Sequence, residues 1–579
     1  MIPKRMRPLV PYLKRYRWGF VAGVFCIFLS NGAWVLLPQV IRHAVDDLKS
    51  GVTSAKLLHF ALQMLEVAAV RGIFLFLTRW IVIGISRDIE FDLRNDLFAH
   101  LETFPYSYYQ RMRTGDLMAR MTNDLNAVRM LLGPAIMYSA NTLVFTAAAL
   151  SFMWRISPKL TFYAFLPLPV VSVVIQYFGR RIHERFERIQ AMFSDISARA
   201  QENFSGARVI RAYVQEEAEI ASFETANQEY IARSLKLVRL MGMLWPTLEL
   251  MLGLAVVLVL WIGGGEVLAG RIEIGGFAAF NIYMLQLTFP VIALGWVVNI
   301  FQRGAASLIR LNEILEERSE IKDEAEARDR QVQGEIEFRG LNFAYDGKPV
   351  LHNLNLRIPA GSSMAIVGPT GSGKTTLVNL IPRICDAAPG MVLLDGRPIR
   401  EFSLASLRKN VGFVPQETFL FSDRIGENIA LGVESATDQE IREAAVAANV
   451  ASDIEGFPEQ YQTMIGERGI TLSGGQKQRT AIARALIRNP RILILDDALS
   501  SVDTHTEDKI LNHLREVMQG RTTIFMSHRV STVRNADRIA VLHDGGIVEL
   551  GTHDELLALN GYYSDLYNKQ LLEEELAEV

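Results

Sequence analysis

Residues 368–376 read Gly368-Pro369-Thr370-Gly371-Ser372-Gly373-Lys374-Thr375-Thr376, an arrangement of glycines, lysine and hydroxyls suited to one task, the holding of phosphate groups. The glycines let the backbone wrap phosphate oxygens closely, and the N–H groups that open a following helix point at the same anion. Lys374 brings positive charge to the outer phosphates, and the Thr375 hydroxyl suits Mg2+. The flanks agree, since residues 364–367 (Met-Ala-Ile-Val) read as a strand and residues 375–380 (Thr-Thr-Leu-Val-Asn-Leu) open a helix. Further on, the apolar run Ile492-Leu493-Ile494-Leu495 ends in two carboxylates, Asp496 and Asp497. Beside a phosphate loop, a carboxylate at a strand end binds Mg2+ through water, which is the role expected of Asp496.

Two domains or more must position these groups, because 579 residues exceed one ordinary core. Half of the residues are hydrophobic, and the excess is concentrated in the first three hundred. Six apolar stretches there reach the ~20 helical residues that a bilayer requires. They are residues 18–40, 57–85, 130–154, 160–178, 244–268 and 276–300. A buried globular helix would show a polar stripe, which these mostly lack. The cations Lys4, Arg5, Arg7, Lys14, Arg15 and Arg17 precede the first stretch, which is too long for a signal-peptide core and reads as a retained span. They put the N-terminus on the cytoplasmic side, and six crossings return the C-terminus there. Arg155 and Lys159 then face outward, against the usual charge bias.

Two charged segments with helical spacing, residues 87–129 and 180–239, are expected to prolong the spans as cytoplasmic arms. Each is interrupted by glycine and aromatic residues, at 106–116 and 203–213, as short transverse helices would be. Glu66, Arg71 and Glu249 are ionisable residues inside apolar runs, where such groups face a cavity or a partner. Glu66 and Arg71, five apart, project ~140° from each other on a helix and make no obvious pair. The domain boundaries expected are 1–315 for the membrane part, 316–333 for a charged linker and 334–579 for a domain alternating strands and helices. A net charge of −3 gives no case for nucleic-acid binding. Cys26 and Cys385, the two cysteines, imply no disulfide framework.

A third pattern, Leu472-Ser473-Gly474-Gly475-Gln476 followed by Lys477-Gln-Arg-Thr-Ala-Ile-Ala-Arg484, is absent from ordinary phosphate-loop proteins. With it the chain resembles the ATP-binding cassette transporters, specifically exporters whose six-span membrane domain precedes one cassette. The fold class expected is therefore an all-α six-span transmembrane domain with long cytoplasmic arms, then an α/β P-loop ATPase domain. The resemblance implies that ATP and Mg2+ are the cofactors. It implies that Tyr345 stacks on adenine, that Gln416 touches Mg2+ and relays its state to the arms, and that His528 holds the γ-phosphate. Gly466-Glu467-Arg468-Gly469 would contact the arms, and Asp503 would lie at the interface between cassettes. Ser473, Gly474, Gly475 and Gln476 would close over the ATP of a second copy, so that a dimer is required. No internal repeat supplies that copy within the chain.

Asp497 departs from the family pattern, which has a Glu that polarises the attacking water. Aspartate withdraws its oxygens by roughly 1–1.5 Å, one C–C bond of reach. A positioned general base contributes about 10²–10⁴-fold, so hydrolysis should slow while ATP binding stays intact. A heterodimer with a Glu-bearing partner is the favoured expectation, as in exporters of paired, non-identical halves that share the Asp-Asp-Ala-Leu-Ser run at 496–500. A slowly hydrolysing homodimer is the alternative. The cargo expected is an amphipathic small molecule or lipid, moved across a bacterial cell membrane with both termini and the ATPase domain cytoplasmic. An importer of exporter architecture and a nucleotide-gated channel or regulator are the competing functions.

Overall fold

The computed structural model describes residues 4–47, 51, 53–345, 347–466, 472–498, 518–527 and 533–578. They form two compact units, Met1–His100 with Gly115–Glu316, and Leu101–Thr114 with Glu317–Val579.

In the first unit six helices are long and apolar enough to cross a membrane. They contain α1 (Arg17–Asp47), α2 (Ser54–Leu101), α3 (Ile136–Ile156), α4 (Leu168–Ser205), α5 (Glu216–Leu268) and α6 (Ile274–Glu316). The expected spans all fall on these helices, but the helices run far past them. With 48 residues, α2 is ~72 Å long against a hydrocarbon core of ~30 Å, so a large part lies beyond lipid. The helix continues because its polar end keeps good helix formers and no proline, and apolar content decides only which part meets lipid. The helical run before α3 starts at Thr114 and includes two π-helical turns, Arg120–Asp124 and Leu131–Ala135. The run before α4 starts at Pro158 and is interrupted at residues 166–167, Leu-Pro.

Short helices Tyr106–Arg111 and Ala207–Ala212 interrupt the arms where the glycines and aromatics cluster. Gly115 is not the breaking residue, since it sits inside the helix Thr114–Ala119. The break comes instead from Pro105 and from Met112, both in extended backbone.

The helices bury one another's small and aromatic side chains and leave the rest to lipid. Val35, Phe145, Ala149, Met153, Val259, Phe280 and Tyr283 form a buried cluster. Its one hydroxyl is satisfied, as apolar surroundings require, because Tyr283 donates to the Val35 carbonyl at 2.6 Å and accepts from Gln39 at 3.0 Å. Trp80, Leu143 and Trp261 point outward, 68–83% exposed, which is costly in water and natural in a bilayer.

Beyond the apolar stretches ion pairs take over the packing. Arg310 on α6 clasps Asp124 with two guanidinium nitrogens, one of them at 2.8 Å, and Ser307 donates to the same carboxylate at 2.8 Å. Glu90 is buried on α2 and collects Arg94 at 2.7 Å, Arg87 at 2.9 Å and Arg129 at 3.5 Å. Asp92 accepts from Tyr16 and Arg15, each at 3.0 Å, and so ties the N-terminal segment to α2.

The second unit contains two sheets. An antiparallel sheet is ordered β2-β1-β4-β5, from β1 (Ile336–Tyr345), β2 (Lys348–Ile358), β4 (Val392–Leu394) and β5 (Arg397–Pro398). The larger sheet is ordered β10-β9-β3-β8-β7-β6, from β3 (Ser363–Val367), β6 (Val411–Val414), β7 (Ile492–Asp496), β8 (Thr522–Met526), β9 (Arg538–His543) and β10 (Gly546–Gly551). Within it β9, β3, β8, β7 and β6 are parallel, and β10 returns antiparallel. Alternation along the strands separates two cores. Met364, Ile366, Ile492, Ile494 and Ile524 face the antiparallel sheet. Ala365, Val367, Leu493, Leu495 and Phe525 face the helical side.

The Asp124–Arg310 clasp is expected to hold the membrane unit together. Asp124→Ala should destabilise the detergent-solubilised protein by about 1–3 kcal/mol, since charged hydrogen bonds are lost while the part-exposed guanidinium is screened. Asp124→Ala with Arg310→Ala should recover part of that loss. Thermal unfolding of both variants measures this, and unchanged midpoints would count against the clasp.

Candidate functional site

Strand β3 is buried on both sides and delivers the chain to a loop that only glycine can begin. Gly368 has φ +153°, and a Cβ there would lie 2.1 Å from the Leu542 carbonyl oxygen. Gly373, at φ +100°, turns the loop into α7 (Lys374–Asn379), and its Cβ would come within 2.7 Å of Leu351. Lys374 folds back over the loop between them, donating to the carbonyls of Gly368 at 2.8 Å and Pro369 at 2.9 Å. Burial pushes the pKa of Lys374 down, and the nearby carboxylates of Asp496 and Asp497 oppose that. The Ser372 hydroxyl is buried with no hydrogen-bond partner among the described residues. Such a group costs about 1–3 kcal/mol unless a ligand satisfies it, and a phosphate oxygen would.

A cavity of about 310 Å³ lies against this loop. Thr370, Gly371, Gly373, Lys374, Thr375 and Thr376 line one side, and Gln416, Asp496, Asp497 and Ser527 contribute from elsewhere. The sheet brings them together, because Gln416 follows β6, Asp496 ends β7 and Ser527 follows β8. Asp496 is buried, whereas Gln416 is exposed at the cavity's edge. Asp497 takes φ +47°, left-handed backbone that Asp tolerates better than most residues, with its N–H donating to the Met526 carbonyl at 3.0 Å. These residues fit a nucleotide with Mg2+, which needs few protein carboxylates when phosphates supply the remaining oxygens.

Tyr345 also lines the cavity, half exposed and edge-on to Phe343 at 4.9 Å. Behind it stands Cys385, whose sulfur is 4.0 Å from the Tyr345 hydroxyl. Burial pushes the Cys385 thiol up to about 11, although the Tyr345 contact pulls the other way.

The second strong pattern is elsewhere in this unit. Ser473 caps α8 (Gly474–Leu486) in a reciprocal box, its hydroxyl accepting from the Gln476 N–H while its own N–H donates to the Gln476 side chain at 3.0 Å. Gln476 and Arg479 both hold Asp453, at 3.1 and 2.8 Å. None of Ser473, Gly474, Gly475 and Gln476 lines the phosphate cavity. Among the remaining expected residues, His528, Asp503, Glu467, Arg468 and Gly469 lie outside the described residues.

One positioning group escaped the sequence reading. Arg484 reaches from α8 to the segment after Gln416, donating to the carbonyls of Asn428 at 2.7 Å and Phe419 at 2.9 Å, and to the Asn428 side chain at 2.9 Å. Its signal was the four-residue spacing of Gln476, Thr480 and Arg484, which puts a cation on the same face as buried Thr480.

In the membrane unit, Arg71 lies over the Trp34 ring, 3.2 Å from its centroid, on the wall of a cavity of about 410 Å³. Glu249 borders a separate, mostly apolar cavity of about 360 Å³. Glu66 is exposed and lines neither.

Alkylation requires thiolate, so a raised Cys385 pKa leaves the group unreactive at neutral pH. In full-length Cys26→Ala protein, iodoacetamide labelling of Cys385 should stay slow through pH ~9 and rise until about 11. A plateau around 8.5, the ordinary cysteine value, would contradict the burial argument.

Comparison with known proteins agrees with both halves. Residues 20–291 match the family model "ABC transporter transmembrane region", and residues 351–500 match "ABC transporter". The chain is 37% identical over 566 residues to a probable multidrug resistance ABC transporter ATP-binding/permease protein, YheI of Bacillus subtilis, covering 97% of each chain. It is 36% identical to an ATP-dependent lipid A-core flippase of Syntrophus aciditrophicus, covering 96% of this chain and 93% of that one. Among solved structures it resembles a bacterial Atm1-family ABC exporter with ATP bound, with a TM-score of 0.78, 28% identity, and coverage of 96% and 99% of the two chains. A phosphate cavity, a signature helix apart from it and six membrane-length helices thus occur in one chain similar to such proteins along nearly its whole length, and the chain belongs to the ABC transporters with fused transmembrane and ATP-binding regions.

Proposed function

We propose that this chain is one half of an ATP-driven exporter of amphipathic small molecules or lipids, working in a bacterial cell membrane with both termini and the ATPase domain in the cytoplasm. The observation that carries this reading is the separation of the phosphate cavity from Ser473–Gln476 within one ATP-binding unit. One copy then grips ATP from one side only, and the signature of a second copy completes the enclosure. Similarity to a multidrug resistance transporter and to a lipid A-core flippase supports export and the class of cargo.

In this reading Gly368, Pro369, Thr370, Gly371, Ser372, Gly373, Lys374, Thr375 and Thr376 hold the phosphates, and Tyr345 stacks on the adenine. Thr375, Gln416 and Asp496 hold Mg2+, which when bound neutralises phosphate charge during transfer. Asp497 accepts the proton of the attacking water, with His528 at the γ-phosphate and Asp503 at the interface between copies. Arg484 keeps the segment after Gln416 in register with α8, a mechanical route from nucleotide to the rest of the protein.

Asp497 makes this chain's own ATP site slow, and the favoured partner is a non-identical half-transporter bearing Glu at the matching position. A slow homodimer is the second reading, supported by the phosphate loop, Gln416 and Asp496 that line the cavity and by the well-capped signature helix.

Two measurements test this proposal. In the purified chain assembled with a second copy of itself, Asp497→Glu should raise the ATPase rate roughly 10-fold or more, while Lys374→Ala should abolish turnover. Ordinary turnover by wild type, unaltered by Asp497→Glu, would exclude a slow site. In inside-out vesicles, uphill uptake with ATP but not with a non-hydrolysable analogue is expected. Passive leak opened by nucleotide binding alone would identify a gate, and the opposite direction of flux an importer.

A further inference from the structure

The first turn of α8 is fastened by one carboxylate from an earlier part of the chain. The helix Asp438–Ala447 ends ahead of Asn449, whose backbone is left-handed at φ +54°, a conformation that Asn adopts more readily than most residues. That turn leads into the short helix Ala451–Glu455, which carries Asp453. The two oxygens of Asp453 have separate tasks. One accepts from the Gln476 side-chain amide at 3.1 Å, and the other from the Arg479 guanidinium at 2.8 Å. The same Arg479 nitrogen donates to the Asn449 carbonyl at 2.6 Å, and its Nε donates to the Gly475 carbonyl at 3.4 Å. Only 13% of the Arg479 side chain is exposed, so Asp453 matches a charge that water screens poorly.

This link decides which polar groups at the start of α8 are engaged and which are left over. Gln476 has both ends of its amide held within its own unit. Its oxygen accepts from the Ser473 N–H at 3.0 Å, and its nitrogen donates to Asp453. Its carbonyl is held as well, accepting from the buried Thr480 hydroxyl at 2.8 Å. Ser473 uses its hydroxyl oxygen to accept from the Gln476 N–H at 3.3 Å, which leaves the O–H proton to donate. The N–H groups of Gly474 and Gly475 open the helix, where no partner exists within it. One hydroxyl and two N–H groups therefore remain for an anion, on a turn whose orientation is set by Asp453.

We infer that Asp453 is a positioning residue for the ATP held by the second copy, aiming Ser473, Gly474 and Gly475 at its phosphates by fixing Gln476 and Arg479. The inference rests on the reading that the signature closes over the other copy's nucleotide, and it adds the residue that orients the signature beforehand. Donors ordered in advance bind more tightly, because less freedom is lost when the ligand arrives. Without Asp453 the Gln476 amide loses its anchor, the box with Ser473 loosens, and the Arg479 charge stays largely buried without its acceptor. The chain's own phosphate cavity is spared, since Asp453 does not line it.

Full-length wild-type and Asp453→Ala copies, distinguished by size and by affinity tags, test this when co-purified through both tags. The mixed pair is loaded with radiolabelled 8-azido-ATP and Mg2+, washed and irradiated, and the label on each chain is counted. The loss should fall on the unmutated chain, with about tenfold less label there than on the Asp453→Ala chain, whose nucleotide an intact signature covers. Asp453→Glu, which keeps the carboxylate, should restore part of the difference. Equal retention by both chains overturns the inference. Loss on the mutated chain or on both alike overturns it too, because a purely structural role predicts that pattern. Ser473→Arg in place of Asp453→Ala separates the inference from the reading beneath it. If Ser473→Arg depletes the unmutated chain and Asp453→Ala does not, closure by the signature stands and the role of Asp453 falls. If Ser473→Arg depletes its own chain or neither, closure over the other copy's ATP falls, and the inference with it.

Discussion

The nucleotide cavity is built at the carboxyl ends of parallel strands that are buried on both faces. β3 ends at the phosphate loop, β6 leads to Gln416, β7 ends in Asp496 and Asp497, and β8 leads to Ser527. Each strand is clamped between two apolar cores, so its end cannot shift without breaking close packing on both sides. Parallel pairing puts all these ends on one edge of the sheet, where open α/β sheets bind ligands. Residues from four distant parts of the chain are thereby held as one rigid constellation.

That rigidity is what gives the carboxylate at position 497 its weight in the proposed function. Its backbone is held in left-handed conformation by the strand end and by the hydrogen bond to Met526, so the main chain is poorly able to advance to make up for a shorter side chain. In the proposed function, one methylene of reach is a small change in composition and a large one in a site whose backbone does not yield. In the proposed function phosphate is held by other groups, the glycine loop and Lys374, and Lys374 is tied to the loop carbonyls of Gly368 and Pro369.

The membrane unit obeys a different rule, because lipid cannot satisfy polar groups. Tyr283 and Gln39 complete their hydrogen bonds internally, and the ion pairs of Glu90 and Asp124 lie on the extended helical runs past the expected apolar stretches. Arg71 stands apart from this pattern, resting on an aromatic face rather than a carboxylate.

Much of this was legible in the residues themselves. Apolar run length marks a span because bilayer thickness sets it, and the phosphate loop is recognisable because its glycines answer to local backbone sterics. The spans, the arms and the α/β character of the second half follow from such local rules, as does the grouping of residues 368–376. The full helix lengths do not, since a helix runs on after its apolar face ends. The pairing of Asp124 with Arg310, the bracing by Arg484, the left-handed turn at Asp497 and the seat of Arg71 on Trp34 are invisible in spacing. Each joins elements far apart in the chain or depends on a dihedral angle imposed by neighbours. The sequence by itself determined which elements form and what chemistry they carry, because those obey short-range sterics and hydrophobicity. Which groups meet, and which are left without a counter-charge, was decided only by tertiary packing, where distance in space no longer follows distance along the chain.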